Sequence, residues 1–147
     1  MNSLIKQILK FGVVGGLSFL IDFAIYTLII AVFGNAKTTV AIAAFFGFTI
    51  SLIFNYFTSM KFVFVDDENM DRRKEFTIFA VLSLIGLLLN EVLILGVLAV
   101  FDNVPLLQNS LNGLLWRFKE TIGKIFATGV VMVYNFVTRK IFIEKKA

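Results

Sequence analysis

An all-α integral membrane protein is the fold class this sequence predicts: a four-helix bundle made of two repeated helical hairpins, both termini cytoplasmic. Three observations predict it. Hydrophobic residues make up 59% of the 147 residues and charged ones only 16%, whereas a soluble domain is about 45–50% apolar and about 25% charged. The apolar residues gather in four runs, each long enough to cross hydrocarbon as a helix. The first pair of runs also matches the second pair when one is laid on the other.

The first run is Phe11–Phe33. A helix rises about 1.5 Å per residue, so this run reaches across roughly 30 Å of lipid. Its one charge, Asp22, sits near the centre, where a carboxylate is costly unless it faces protein or water. The run is far longer than the 7–15-residue apolar core of a cleaved leader, so it reads as a retained span. A short turn, Gly34-Asn35-Ala36-Lys37, leads to the second run, Thr39–Phe57. The charged loop Thr58–Glu75 follows, and then the third run, Phe76–Phe101. The connection Asp102–Glu120 holds Pro105 and an LLWRF stretch. Trp and Arg suit the membrane boundary, so Leu111–Phe118 is expected to be a short amphipathic piece at the interface. The fourth run is Thr121–Val137. Helices are the sensible form for all four, because backbone groups in lipid must be satisfied within their own segment. The whole chain, 1–147, reads as one transmembrane domain without a separate soluble catalytic domain.

Charge sets the expected orientation. Lys6, Lys10, Lys61, Arg72, Arg73, Lys74, Arg139, Lys140, Lys145 and Lys146 fall on one side; Lys37, Arg117, Lys119 and Lys124 fall on or towards the other. The positive-inside rule places both termini and the middle loop in the cytoplasm. The net charge of +4 points to anionic headgroups rather than nucleic acid, because the cations flank apolar runs.

The internal repeat is parallel, with an expected pseudo-axis along the membrane normal. Moving the first run by 68 positions puts Gly15, Ser18 and Asp22 on Ser83, Gly86 and Asn90. The spacing of three then four makes each trio one stripe on a helix face. Moving the second run by 80 positions puts Asn55 and Thr58 on Asn135 and Thr138, and Ala43 and Gly47 on Gly123 and Ala127. The small residues are read as packing contacts, which let membrane helices approach closely.

The matched polar residues are the candidates for function. Asp22 and Asn90 lie at mid-membrane, and Glu91 points about 100° away from Asn90. Asn55 and Asn135 lie near the cytoplasmic ends of their runs, with Lys61 after one and Arg139 and Lys140 after the other. Lys124 either snorkels to the outer headgroups or provides an anion site or a partner for Asp22 or Glu91. Arg139 and Lys140 either fix orientation or bind phosphate, for which Arg offers a planar fork. The chain has no His and no Cys, so zinc sites, ordinary catalytic triads and thiolate chemistry are excluded. No P-loop motif is present. No cofactor or metal is expected, and the protein is not read as an enzyme. A polar interior with cationic ends suits an amphipathic anion.

Four stretches, KFGVVGGLSFLIDFAIY, IFNYFTSMKFVF, LIGLLLNEVLI and GKIFATGVVMVYNFVTRKIF, together resemble the GtrA family over nearly the whole chain. The most specific parts are G-L-x-x-L-x-D, here Gly16 to Asp22, and N-[YF]-x-x-x-x-[KR]-x-x-F, here Asn55 to Phe64 and, in a shortened form, Asn135 to Phe142. The family's basic position at the start of the fourth span corresponds to Lys124. The long Asp102–Glu120 connection and Glu91 after Asn90 depart from the pattern. The resemblance implies four membrane helices in the bacterial cytoplasmic membrane. It also implies flipping of a polyprenyl-phosphate-linked monosaccharide for decoration of a cell-surface polysaccharide or wall teichoic acid, beside a membrane-bound glycosyltransferase. On that reading Lys124, Arg139, Lys140 and Lys61 take the lipid phosphate, and Asp22, Asn90, Asn55, Asn135 and Glu91 form a polar groove for the sugar. Four helices make a thin wall, so a homo-oligomer is expected. Two rivals are a proton-coupled small multidrug-type transporter built on Asp22, and a non-transporting membrane subunit that assembles with a glycosyltransferase.

Overall fold

The computed structural model describes residues 2–146, and all of their regular structure is helical. Four helices are long and apolar enough to cross a membrane: α1 (Ser3–Phe33), α2 (Lys37–Phe62), α3 (Arg72–Asn103) and α6 (Lys119–Phe142). Two short helices, α4 (Pro105–Asn109) and α5 (Leu114–Arg117), lie in the connection between α3 and α6. The expected all-α membrane fold with four spans is borne out.

Apolar runs mark the hydrocarbon-crossing part of each helix, and polar residues carry the helices further. α1 begins at Ser3 rather than Phe11, because Asn2 caps it: its side-chain oxygen accepts from the Leu4 N–H at 3.1 Å. Such a cap satisfies one of the orphan donors at a helix start. α3 begins at Arg72 rather than Phe76 for the same reason. Asp71 accepts from the Arg73 N–H at 3.2 Å through its side chain, and from the Glu75 N–H at 2.9 Å through its carbonyl. α2 and α6 overrun their apolar runs to Phe62 and Phe142, drawing Ser59, Met60 and Arg139 into buried positions. α1 ends at Gly34, whose φ of 86° and ψ of −178° belong to a region essentially open only to glycine.

The chain divides into two compact units. The first runs up to Ala80 and takes in the segment from Lys140 onward. Its frame is the antiparallel α1·α2 hairpin. Ala43 is fully buried, and Gly47 is buried with Asp22 of α1 packed directly against it. A methyl group at Gly47 would collide with the Asp22 carboxylate and would lie 2.9 Å from its carbonyl oxygen. At the end of this hairpin Phe11 packs on Phe64, ring centres 5.9 Å apart. Tyr56 meets Phe76 at 5.1 Å and Phe79 at 5.4 Å in edge-on geometry, the arrangement that ring quadrupoles favour.

The second unit is Val81–Arg139. Here α3 and α6 run antiparallel, as their contacts show in order: Ser83 with Arg139, Gly86 with Tyr134 and Asn135, and Val97 with Gly123. Gly123 would place a methyl group 3.4 Å from Val97, an ordinary van der Waals contact. Each hairpin therefore closes on small residues, as lipid-embedded helices do.

Gly47→Ala should lower the thermal denaturation midpoint in detergent, because the methyl group meets backbone as well as side chain, and overpacking of this kind costs about 1–3 kcal/mol. Gly96→Ala, where a methyl group meets nothing within 4 Å, should leave the midpoint near wild type.

Candidate functional site

A helix in lipid presents polar atoms only where another helix covers them. In the second unit the stripe Ser83–Gly86 of α3 covers the last turns of α6. Arg139 is 3% exposed, and its Nη2 donates to Ser83 Oγ at 2.6 Å. Asn135, one turn earlier on the same face, lies against Gly86: a methyl group there would come within 2.9 Å of Asn135 Oδ1. That oxygen is buried with no hydrogen-bond partner among the described residues. Tyr134 donates from its hydroxyl to the Leu82 carbonyl at 3.3 Å. A guanidinium, an amide and two hydroxyls thus converge on one end of this hairpin.

In the first unit Asp22 is half-buried on Gly47. Asn55 is also half-buried and accepts from Ser59 Oγ at 2.9 Å. Lys61 is exposed, its ammonium 5.2 Å from the centre of the Phe62 ring. Lys140 is held in a closed network: Nζ donates to Glu144 Oε2 at 2.6 Å and to Gln7 Oε1 at 2.7 Å. Gln7 Nε2 donates in turn to Glu144 Oε1 at 2.7 Å and to the Val63 carbonyl at 3.0 Å. The Val65 N–H adds a bond to Glu144 at 3.1 Å. This network ties the start of α1, the segment after α2 and the chain beyond α6 into one polar knot.

Of the remaining sequence candidates, Asn90 is half-buried, and Glu91 and Lys124 are exposed on α3 and α6. Among the described residues no group of three Asp or Glu side chains could hold a metal ion.

Sequence reasoning missed several members of these clusters. Glu144 lies four residues after Lys140, a spacing that makes helical ion pairs, so that pair was legible. Gln7 carried no such signal, because its partners are far away in the chain. A second cluster was also missed. Tyr56 donates from its hydroxyl to Glu75 Oε1 at 2.6 Å, and Arg72 reaches the same oxygen at 3.2 Å and Asp66 Oδ1 at 2.7 Å. Glu75, weighed in the sequence only as a loop acid, is fully buried, and its Oε2 has no hydrogen-bond partner among the described residues.

Electrostatics follow from these partners. At Glu144 burial pushes the carboxyl up, but hydrogen bonds from Lys140, the Val65 N–H and Gln7 outweigh it and hold the group below its ordinary 4.5. Hydrogen bonds from Arg72 do most to hold Asp66 below the ordinary carboxylate range.

With the buried cation, the half-buried amides and four spans in place, comparison with known families is decisive. The profile of the GtrA/DPMS transmembrane domain matches residues 10–144. The chain belongs to the GtrA/DPMS transmembrane-domain family. It is accordingly a multi-pass membrane protein, and the family match covers both hairpins, Asn55, Asn135 and Arg139 included. No curated protein and no solved structure matches it.

Two measurements check the site. The Glu144 carboxyl is depressed in the fold, so its contribution is present above pH 4.5 and is lost as pH falls through the lower folded value. The denaturation midpoint of the wild type should drop over that acid window, and Glu144→Gln should flatten the drop, leaving the part due to Asp66. Tyr56→Phe removes a hydrogen bond from a buried carboxylate and should cost about 1–3 kcal/mol, read as a lower midpoint at neutral pH.

Proposed function

We propose that this protein carries a polyprenyl-phosphate-linked monosaccharide across the bacterial cytoplasmic membrane, for glycosylation of a cell-surface polysaccharide or teichoic acid. It acts as a carrier rather than an enzyme, beside a glycosyltransferase that loads the lipid, with both termini in the cytoplasm. One observation carries the reading beyond family membership: Arg139 sits buried in a membrane helix on Ser83, one turn from a buried Asn135 oxygen with no hydrogen-bond partner among the described residues.

A buried guanidinium in a membrane helix is expensive and marks function by default. Its planar fork matches two oxygens of a phosphate. The Asn135 amide, with one acceptor and two donors, suits the hydroxyls of a sugar. A polyprenyl tail needs only lipid, and the exposed apolar faces of the helices provide it. Among the cations proposed for phosphate, Arg139 is the strongest. Lys140 is already neutralised by Glu144, so its part is to hold the chain beyond α6 in place. Lys61, exposed near the end of α2, supplies a first electrostatic contact. Lys124, exposed at the other end of α6, supplies a contact on the opposite leaflet. Asn90 adds a further polar side chain on the second unit and Asn55 one on the first, and Asp22 and Glu91 are the groups that would take up a proton if flux is proton-coupled. A cationic drug would meet Arg139 as a like charge, which speaks against the multidrug reading.

Arg139→Ala, Asn135→Ala and Asp22→Asn should each fail to restore surface sugar to a strain lacking the gene, at normal membrane level, with sugar-loaded lipid accumulating. Loss of one charge-assisted hydrogen bond corresponds to about tenfold or more in rate. Arg139→Lys should recover part of the function. Full surface sugar from all three variants would overturn the reading. Loss of sugar without lipid accumulation would instead place the protein in assembly of the transferase.

A further inference from the structure

The connection between α3 and α6 is built rather than slack. Asp102 at the end of α3 pairs with Lys119 at the start of α6, Nζ to Oδ1 at 2.8 Å, which closes the intervening residues into a loop. Gln108 folds back over the end of α3, its Nε2 donating to the Phe101 carbonyl at 3.2 Å and the Asp102 carbonyl at 2.9 Å. Those carbonyls are among the orphan acceptors that every helix end must satisfy. Three consecutive residues, Leu111, Asn112 and Gly113, have positive φ of 51°, 57° and 79°. For Leu this left-handed backbone costs of order 1–2 kcal/mol, whereas Asn takes it more readily.

This closed loop turns large apolar side chains outward. Leu106 is 76% exposed, Leu111 67%, Phe118 50% and Leu114 47%. Such a run is unusual on a surface that faces water. Its position explains it. The loop joins the ends of two membrane-crossing helices, so it begins and ends at the bilayer surface. Beside the apolar side chains stand Trp116, the only tryptophan in the chain, and the cations Arg117 and Lys119. The Lys119 ammonium lies 3.6 Å from the centre of the Trp116 ring. Tryptophan with a cation is the pairing found at headgroup depth, where a flat ring and a charge can both be accommodated.

We infer that Pro105–Phe118 is an interfacial anchor, lying in the plane of the bilayer with Leu106, Leu111, Leu114 and Phe118 in the upper acyl chains and Trp116, Arg117 and Lys119 at lipid phosphate level. The occupant of this face is the lipid of the same leaflet, not a protein. The anchor fixes where α6 enters the membrane. Lys124, five residues on, then lies about 7–8 Å deeper along the helix, within the reach of a snorkelling ammonium.

Trp116 makes the test direct. The intact protein is reconstituted in vesicles of phosphatidylethanolamine and phosphatidylglycerol whose acyl chains are brominated either near the glycerol or near the methyl end. Tryptophan emission should be blue-shifted, weakly quenched by aqueous acrylamide, and quenched about twofold or more better by the shallow bromines than by the deep ones, as a ring at the headgroup boundary requires. Leu111→Asp with Leu114→Asp should shift the emission to the red and raise acrylamide quenching. Strong acrylamide quenching of the wild type without bromolipid quenching would make the segment an aqueous loop. Strongest quenching by the deep bromines would make it a re-entrant one. Protection from both kinds of quencher would mean that protein covers it. Each of these three outcomes overturns the inference.

Discussion

Inside a bilayer a carboxylate, an amide or a guanidinium has no water to turn to, and the only shelter is the facing helix. That constraint shapes both hairpins in the same way. Three polar side chains that face inward each lie on a small residue. Asp22 lies on Gly47, Asn135 lies on Gly86, and Arg139 lies on Ser83. A Cβ at Gly47 or Gly86 would occupy space that a polar atom already holds. The small residue is therefore not only a close-packing device between backbones. It is the cavity into which the polar group fits, and in the case of Ser83 it is also the hydrogen-bond acceptor.

A different problem arises where the chain leaves hydrocarbon. Helix ends have unpaired backbone groups and long charged side chains, and here they are gathered into local knots. Lys140, Glu144 and Gln7 close one, sealed by the Val63 and Val65 backbone. Tyr56, Glu75, Arg72 and Asp66 close another. Asp102, Lys119 and Gln108 close a third at the far end of α3. Each joins residues from separate elements, so each helps to fix where a span stops. Isolated exposed pairs contribute little; Glu75, fully buried, and the multiply bonded Glu144 are of a different kind, because removing a partner leaves a desolvated charge.

Much of this was legible in sequence and some was not, for definite reasons. The four spans follow from hydropathy alone, since lipid leaves the backbone one choice. The hairpin contacts at Gly47 and Gly123 follow from small residues at i, i+4. Helix ends did not follow, because Ser3–Lys10 and Arg72–Glu75 are polar stretches whose helicity depends on the caps Asn2 and Asp71. The pairing of Lys140 with Glu144 was not weighed, since orientation rules count cations and ignore acids. The burial of Glu75 was not legible either, because the Tyr that binds it lies far back in the chain. Long-range partners such as Gln7 leave no periodic trace. The left-handed turn after Pro105 was not legible, because Leu111 disfavours that backbone.

The repeat itself carries an argument about function. Under the shifts that superimpose the runs, Arg139 of the second hairpin corresponds to Ser59 of the first, and Ser83 to Gly15. Both α2 and α6 keep the buried position: Ser59 is fully buried and Arg139 nearly so. One hairpin thus fills the site with a hydroxyl bonded to its own helix, at Asn55, and the other fills it with a cation bonded to the facing helix. If packing alone set the choice, the smaller and cheaper solution would serve in both places, because burying a guanidinium carries a desolvation cost that a serine avoids. The same asymmetry recurs at mid-membrane, where the acid Asp22 corresponds to the neutral Asn90. A duplicated scaffold that keeps its small-residue contacts, yet places one acid on the first hairpin and one buried cation on the second, has been differentiated by charge rather than by shape. That difference in charge is one that packing of the hairpins does not call for.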